Sequence, residues 1–417
     1  MQHSISTNKS SLFKLAVALS IVASFSTIPP NELKLALYVL SLLITLFVFN
    51  GLPRGNYKPF NLLFVFFIVE LLWKMIGYGA LGNINSIILS YTSMFTCAIL
   101  ASGLFYLSHK QLKGLFILII LLLIESIVAT IILSYLMPSG IVRYAINVEH
   151  MAEIGINESI FRTGLVSYPL AHIWCAVLVS CLVFFFESKR KATKVFFMIL
   201  AFAIGYVLFH NTITTSLLVG VICCGIVLVY YFSQGNLRTF FTLSIFIVYL
   251  GISSSSFISD VMVNMAANTD NTQITGKFMD ISENVEGDDS DDNQVSRRGN
   301  AYAKSWKAFI RNPLFGLAEK HDKPGVINPA GDHSTVPDML AYYGVFSFFL
   351  FASWWTEIKR IRRGLTGELK FSFLICAFSI ILMAFLKGGF HVTYMIFTFL
   401  VLKIIFMYME TQKIINH

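Results

Sequence analysis

A histidine and an aspartate stand side by side where the stretch GDHSTVPDMLAYYG, residues 331–344, runs into an apolar segment. A neutral imidazole can accept the proton of an attacking hydroxyl near neutral pH. His333 is therefore a candidate general base or acceptor-orienting group, although a histidine at a helix entry can also simply hydrogen-bond to backbone. Asp332 either orients His333 or helps to cap the helix, a role that Ser334 or Thr335 can also fill.

Three arginines occur in two other stretches that border apolar segments. Arg162 lies in IFRTGLVSYPLAH, and Arg297 and Arg298 lie in SRRGNAYAKSWKAFIRNP. Guanidinium groups match phosphate oxygens in a bidentate way, so arginines from two separate loops predict a shared anionic ligand. Arg162 taken alone also fits a side chain that reaches toward lipid headgroups.

Other polar residues are weaker candidates for substrate contacts. Lys387 and His391 flank a Gly-Gly pair between the last two apolar segments, and they contact sugar or phosphate or else reach to the membrane interface. Asn211, in FHNTITTSLL, contributes to a site or closes a tight turn. Asp289 and Asp291 spell a D-x-D within an acidic run, but we interpret that run as solvated charge and expect neither a metal ion nor another cofactor.

The residues after the acidic run have the pattern of an amphipathic helix that starts near Ser296 and ends before Pro313. One face carries large apolar side chains and the other carries cations. The apolar face holds Tyr302, Trp306, Phe309 and Ile310, and the cationic face holds Lys304, Lys307 and Arg311. We expect the aromatic face, together with Arg298, to point toward the rest of the protein and Arg297 to point toward water. Tyr302 and Trp306 then become candidates for substrate contacts.

The composition indicates which elements must position these residues. Of 417 residues, 56% are hydrophobic and 13% are charged, and the mean hydropathy is +0.71, which is unlike a soluble globular domain. Apolar runs of roughly 17 to 24 residues recur, long enough to cross a bilayer as helices. We predict an all-α polytopic membrane protein with about twelve transmembrane helices in a single integral membrane domain, 1–417. The predicted spans are 12–28, 33–49, 60–76, 86–107, 113–136, 168–186, 194–209, 212–232, 238–257, 335–355, 370–386 and 391–409.

Lysine and arginine concentrate in alternate short loops, which the positive-inside rule places in the cytoplasm. This pattern predicts that both termini are cytoplasmic and that the two longer loops, 137–167 and 258–334, lie on the outer side. The larger loop joins the predicted ninth and tenth spans and contains the amphipathic helix. The net charge of +8 thus reflects topology, and we expect no nucleic-acid partner. All six cysteines fall within predicted spans, where we expect them to pack as small apolar residues.

Taken together, these stretches resemble the superfamily of bacterial O-antigen polymerases and O-antigen ligases. The resemblance rests on about twelve spans with one large late loop, on RTGLVSYP, on SRRGNAYAKSWKAFIRNPLFG with its N-P-L-F-G string, and on GDHSTVPDMLAYYG with its L-A-x-Y-G helix entry. It implies a GT-C-like membrane fold in the bacterial inner membrane that acts at the periplasmic face. It also implies undecaprenyl-diphosphate-linked oligosaccharides as donor and acceptor, no metal, and a possible chain-length regulator protein as a partner.

The resemblance implies that Arg162 and Arg298 hold the diphosphate, and that Arg297 is the alternative arginine for this role. It also implies that His333 accepts the proton of the acceptor hydroxyl or orients the acceptor. The H-S-T string before L-A-Y-Y-G favours a polysaccharide polymerase, which moves a growing glycan onto a new lipid-linked repeat unit. A ligase that transfers the glycan to lipid A-core is the alternative, but FHNTITTSLL lacks the S-R pair that ligases carry there. A lipid-linked oligosaccharide flippase is a third reading, favoured by the intramembrane residues Glu70, Lys74 and Glu125 and opposed by the long outer loop.

Overall fold

The structure is a computed structural model of the chain. It describes residues 7–26, 31–53, 57–78, 84–136, 168–210, 214–233, 294–317, 330–331, 334–387 and 391–416, together with positions 29, 236, 239, 242, 245, 263–264 and 267. Among these residues the regular structure is helical throughout, with no strand, as the composition predicts.

The helices before the large loop follow the predicted spans closely. They are α1 (Thr7–Phe25), α2 (Asn31–Phe49), α3 (Lys58–Tyr78), α4 (Ile84–Gly103), α5 (His109–Leu136), α6 (Tyr168–Glu187), α7 (Lys191–His210) and α8 (Thr214–Phe232). Helix α9 (Gln294–Arg311) is the amphipathic helix, which begins two residues before Ser296 and ends where Pro313 predicts. Of the predicted ninth span, 238–257, the structure describes only positions 239, 242 and 245.

The helices after the loop form the rest of the bundle. They are α10 (Thr335–Tyr343), α11 (Ser347–Arg363), α12 (Gly367–Leu386), α13 (His391–Ile396) and α14 (Lys403–Asn416). A 3₁₀ turn, Gly344–Phe346, joins α10 to α11, so the predicted span 335–355 is a bent rod and not one straight helix. A π-helical segment, Phe397–Leu402, joins α13 to α14.

Nine helical stretches of the described chain are long and apolar enough to cross a membrane. Two of them run through the bent connections: Thr335–Arg363 and Val392–Ile415. Helices α1 and α3, which match predicted spans, are not among the nine. The chain is therefore an all-helical protein of the multi-pass membrane type, and the figure of about twelve spans stays a prediction.

Helix α6 occupies the middle of the packing. It contacts α7, α8 and α12, while α1 packs on α2 and α5, and α11 packs on α3. Trp174 of α6 is fully buried, which is unusual for a side chain of that size. Five cysteines are buried and Cys224 is half-buried, and all six are free thiols, so the prediction that they serve packing is confirmed.

A buried ion pair joins α11 to α14. Lys403 Nζ lies 2.7 Å from Glu357 Oε1 and donates a second hydrogen bond of 2.7 Å to the carbonyl oxygen of Ala101. Arg360 Nη1 approaches the other oxygen of Glu357 at 3.4 Å. Two charges in a water-poor interior are stable only when paired and hydrogen-bonded in this way. Nothing in the sequence pattern predicts this pair.

The buried acidic residue Glu70 has a hydrogen-bond partner on a neighbouring helix. Lys74 follows Glu70 by one helical turn, and its side chain lies outside the described residues. The Glu70 carboxylate accepts a hydrogen bond from the hydroxyl of Tyr91 on α4. Glu70 is therefore held by a neighbouring helix.

Candidate functional site

The structure describes the predicted site residues to different extents. Arg162, Asn211, Asp332 and His333 lie outside the described residues. Arg297, Arg298 and His391 are described by their backbone alone, the first two in the first turns of α9 and the third as the first residue of α13. Tyr302, Trp306 and Lys387 are described in full. The site is therefore built from these three residues and from the neighbours of the others.

Helix α9 is fastened to the start of α10 by one buried carboxylate. Asp338 Oδ1 accepts a hydrogen bond of 2.5 Å from the hydroxyl of Ser305 in α9, and Asp338 Oδ2 accepts one of 2.9 Å from the backbone N–H of Ser334. The Ser305 hydroxyl also accepts a hydrogen bond from the N–H of Gly331. These bonds fix the chain on both sides of positions 332–333 relative to α9.

The end of α12 joins the same arrangement. Thr335 donates both its backbone N–H and its hydroxyl to the carbonyl oxygen of Lys387, at 2.9 and 2.7 Å. The hydroxyl of Tyr302 donates to the carbonyl oxygen of Leu386 at 3.1 Å. The structure thus brings together two of the predicted site residues, Tyr302 and Lys387, with the first turn of α10, which directly follows His333.

The starts of α6 and α8 lie at the same end of the bundle. The hydroxyl of Ser216, in the first turn of α8, donates to the carbonyl oxygen of Ala171 in α6 at 3.0 Å. The next residue of α6, His172, is fully buried and interacts electrostatically with Lys387. Helix α6 follows the stretch that contains Arg162, and α8 follows Asn211. We call this end of the bundle, where α6, α8 and α10 begin and α12 ends, the site end.

The face of α9 that packs on the protein differs from the predicted one. The buried stripe consists of the small residues Ala301, Ser305 and Ala308, whereas Trp306 is 41% exposed and Ile310 is 71% exposed. The expectation that the whole aromatic face points inward is therefore wrong at Trp306 and Ile310, whereas Phe309 packs against the core and Tyr302 is held at the end of α12. A substrate contact through Trp306 stays a prediction.

Close backbone approach is the physical reason for that difference. A Cβ atom on Gly331 would lie 2.1 Å from the carbonyl oxygen of Ala301, so α9 sits almost directly against the chain beside it. Only small side chains fit between backbones this close. Trp306 and Ile310 on the adjoining face are then left outward, where an interfacial helix places its apolar side chains in lipid.

Two strings that the sequence analysis singled out contact each other. Within N-P-L-F-G, the carbonyl oxygen of Pro313 accepts a hydrogen bond of 2.8 Å from the backbone N–H of Val345. Leu317, the next residue after the string, donates one of 2.8 Å to the carbonyl oxygen of Ala341. Gly316 and Gly344 have φ of +67° and +57°, and a Cβ on either would lie within 2.6 Å of the partner string's backbone. Glycine is required at both positions by conformation and by space.

Sequence reasoning missed Asp338, Ser305 and His172. Asp338 lies four residues after Ser334, a potential N-cap. Its position is therefore that of an acidic residue that interacts only with the start of its own helix. His172 stands one turn inside an otherwise apolar helix, and an ionisable group at that depth indicates a functional position.

The electrostatics of the site end favour an anion. The described side chain of Lys387 is cationic, and the backbone of α9 carries Arg297 and Arg298 four to eight residues before Tyr302 and Ser305. Among the residues that the structure describes, no group of three His, Cys, Asp or Glu side chains is placed to hold a metal ion. Lys387 is the described cation at this place, and guanidinium groups from the first turns of α9 would suit a phosphate-bearing ligand.

No protein-family model matches this chain, and no curated protein matches it significantly. The fold defines the class of the protein: an all-helical protein of the multi-pass membrane type with an amphipathic helix packed at one end of the bundle.

Proposed function

We propose that this chain is a membrane glycosyltransferase of the polysaccharide polymerase type, with a GT-C-like arrangement of about twelve spans. It transfers a growing glycan from undecaprenyl diphosphate to a hydroxyl of a lipid-linked repeat unit. The reaction takes place at the periplasmic face of the bacterial inner membrane, and both termini lie in the cytoplasm.

One observation carries most of the support. The hydrogen bonds through Ser305 and Asp338 tie the helix that contains Arg298 to the chain on both sides of His333. The Tyr302 and Thr335 bonds to the end of α12 add Lys387 to the same place. Helix α9, the chain on both sides of His333 and the end of α12 lie far apart in sequence. They thus meet at one end of a membrane bundle.

In the proposed reaction, the acceptor hydroxyl attacks the anomeric carbon of the donor sugar while the bond from that carbon to the diphosphate oxygen breaks. The hydroxyl proton moves to the neutral imidazole of His333. The electron pair of the broken bond stays on the diphosphate, which leaves attached to its lipid. Arg162 and Arg298 stabilise the charge that grows on that leaving group, because fixed cations in a water-poor site act more strongly than bulk water.

The glycolipid profile of a strain that lacks the gene tests the proposal. Loss of long polymer, with single repeat units still reaching the outer leaflet or the lipopolysaccharide core, is the expected result. Long polymer that stays on its lipid carrier and never reaches the core would identify a ligase instead. Single lipid-linked units retained in the cytoplasmic leaflet would identify a flippase.

A second strain, expressing the His333→Ala variant, tests the assigned site. We expect the variant to accumulate in the membrane and to make no long polymer. The matched control is Arg311→Gln, because Arg311 lies on the exposed face of α9 and outside the proposed site. Normal polymer in the His333→Ala strain would remove the catalytic role.

A further inference from the structure

A second ligand-sized space lies at the opposite end of the bundle. It is a cavity of about 640 Å³ at the end of α6, the start of α7, the first turns of α5 and α12, and the middle of α14. Since α6 begins at the site end and its 20 residues span roughly 30 Å, the two places are separated by the thickness of the bundle. The volume falls within the range typical of small-molecule sites.

The rim of this cavity is strongly cationic. Four basic side chains line it: Lys113, Lys189, Arg190 and Lys413. Among its lining residues that the structure describes, Glu187 is the one carboxylate. Helix α7 begins directly after Arg190, so the positive end of a helix dipole adds to the same field.

Two carboxylates lie at or beside the cavity. Glu187 accepts a hydrogen bond of 2.6 Å from the hydroxyl of Tyr231 and lies 3.8 Å from Nζ of Lys413. Glu368, next to the lining residue Leu369, brings a like charge close to Glu187. With both carboxylates counted, cations are still in excess around the cavity, which favours an anionic ligand.

The inner wall of the cavity is aromatic. The rings of Phe184 and Phe197 stack with centroids 4.4 Å apart, Phe116 lies 5.0 Å from Phe184, and Tyr408 stacks on Phe116 at 4.6 Å. The three phenylalanines also line a narrow apolar cavity of about 50 Å³ among α1, α5, α6 and the π-helical segment. A cationic rim above an apolar wall matches an amphiphile and not a wholly polar solute.

We propose that this cavity binds the phosphate group of an anionic membrane lipid, with the cationic rim at the headgroup and the lipid chain against the aromatic wall. Arg190 and Lys113 are the headgroup ligands. Both side chains are exposed at the mouth of the cavity, where a headgroup can reach them. Arg190 also acts electrostatically on the hydroxyl of Tyr408, so its charge lies near the aromatic wall. This proposal is independent of the transfer reaction at the site end.

Thermal unfolding of the full chain, purified in a neutral detergent, tests the proposal. A ligand that binds the folded state raises Tm according to its concentration and affinity. We expect added phosphatidylglycerol to raise Tm by several degrees, and phosphatidylcholine with the same acyl chains to leave it unchanged, because choline cancels the phosphate charge. No shift with phosphatidylglycerol would overturn the site. An equal shift with the same concentration of inorganic phosphate would overturn the lipid as its ligand.

A pair of double variants separates a local site from general surface charge. Lys113→Gln with Arg190→Gln removes two charges from the rim, and Arg362→Gln with Arg363→Gln removes two exposed charges at the same end, outside the cavity. The first variant should need at least tenfold more phosphatidylglycerol for the same Tm shift, and the second should behave as the wild type. Each variant is compared with its own lipid-free Tm, so a loss of intrinsic stability does not obscure the result. Equal weakening in both would overturn the proposal.

Discussion

The carboxylate of Asp338 and the hydroxyl of Ser305 form a buried hydrogen bond of 2.5 Å between α10 and α9. Both residues are almost completely buried, and the bond to the charged oxygen is the strongest kind that a serine makes. It sets where the first turns of α9 lie relative to the chain that carries His333. Loss of this bond should therefore harm the site as well as the stability of the fold.

The first prediction concerns this bond. Ser305→Ala leaves Asp338 Oδ1 without its donor, and we expect a loss of about 1.5 to 3 kcal/mol together with shortened or absent polymer. Ser93→Ala is the control, since that buried hydroxyl bonds a carbonyl of its own helix. Thermal unfolding and a polymer ladder on a gel measure the two effects. Unchanged polymer in a destabilised Ser305→Ala protein would show that the bond serves stability alone.

The second prediction concerns the arginines of α9. Arg298→Ala should lower the rate of polymer extension on the order of a hundredfold, and Arg298→Lys should recover part of it, because lysine keeps the charge but loses the bidentate fork. Arg297→Ala should have a smaller effect. Extension rates in membranes that contain equal amounts of each protein give the comparison. Equal losses for both arginines would contradict the preference for Arg298.

The third prediction concerns the contact between the two glycine turns. Gly344→Ala places a Cβ 2.5 Å from the carbonyl oxygen of Pro313 at a φ of +57°, and should lower Tm by several degrees. Gly225→Ala is the matched control, because nothing within 4 Å meets its Cβ and alanine is a better helix former. A Gly344→Ala protein as stable as the control would show that this turn is not a fixed contact.

The fourth prediction concerns the ion pair of α11 and α14. Glu357→Gln leaves Lys403 charged and buried beside Arg360, and should cost about 3 to 5 kcal/mol. Lys403→Met should cost less, because Arg360 still faces the Glu357 carboxylate. Combining the two substitutions should restore part of the stability lost in Glu357→Gln. Additive losses in thermal unfolding would mean that the two side chains do not act as a pair.

The fifth prediction concerns metal ions. If arginines neutralise the diphosphate, EDTA should leave transfer by the purified protein within about twofold of its untreated rate. Restoration of a lost activity by Mg²⁺ or Mn²⁺ would instead assign a role to Asp289 and Asp291.

Hydropathy was sufficient to predict the helices of the bundle, because a bilayer demands long apolar runs whatever their partners. It could not identify the packed face of α9. The helical wheel favours large apolar side chains, but the close approach at Gly331 selects Ala301, Ser305 and Ala308 instead. That closeness depends on residues thirty positions away, so no local pattern contains it.

The partners of the buried charged residues could not be predicted either, because they also come from distant parts of the chain. Glu357 lies two residues before a basic cluster, a position typical of a charged residue at the membrane interface. Its partner Lys403 lies 46 residues later, in an apolar helix. Asp338 likewise has the position of an ordinary acid at the start of a helix, although its Oδ1 accepts a hydrogen bond from Ser305 of another helix. Only the folded chain shows which charges meet.

The π-helical segment Phe397–Leu402 contains a wider turn than the helices on either side of it. It lies within the rod from His391 to Asn416. Thr398, inside the segment, accepts a hydrogen bond from Trp354, and Lys403, directly after the segment, donates to Glu357 and to the carbonyl oxygen of Ala101. A π-turn holds about one residue more than an α-turn, so deleting one residue from the segment would give a continuous α-helix whose two ends keep their relative orientation. Lys403 would then still face Glu357, because the irregular turn absorbs its extra residue without loss of the partners on either side.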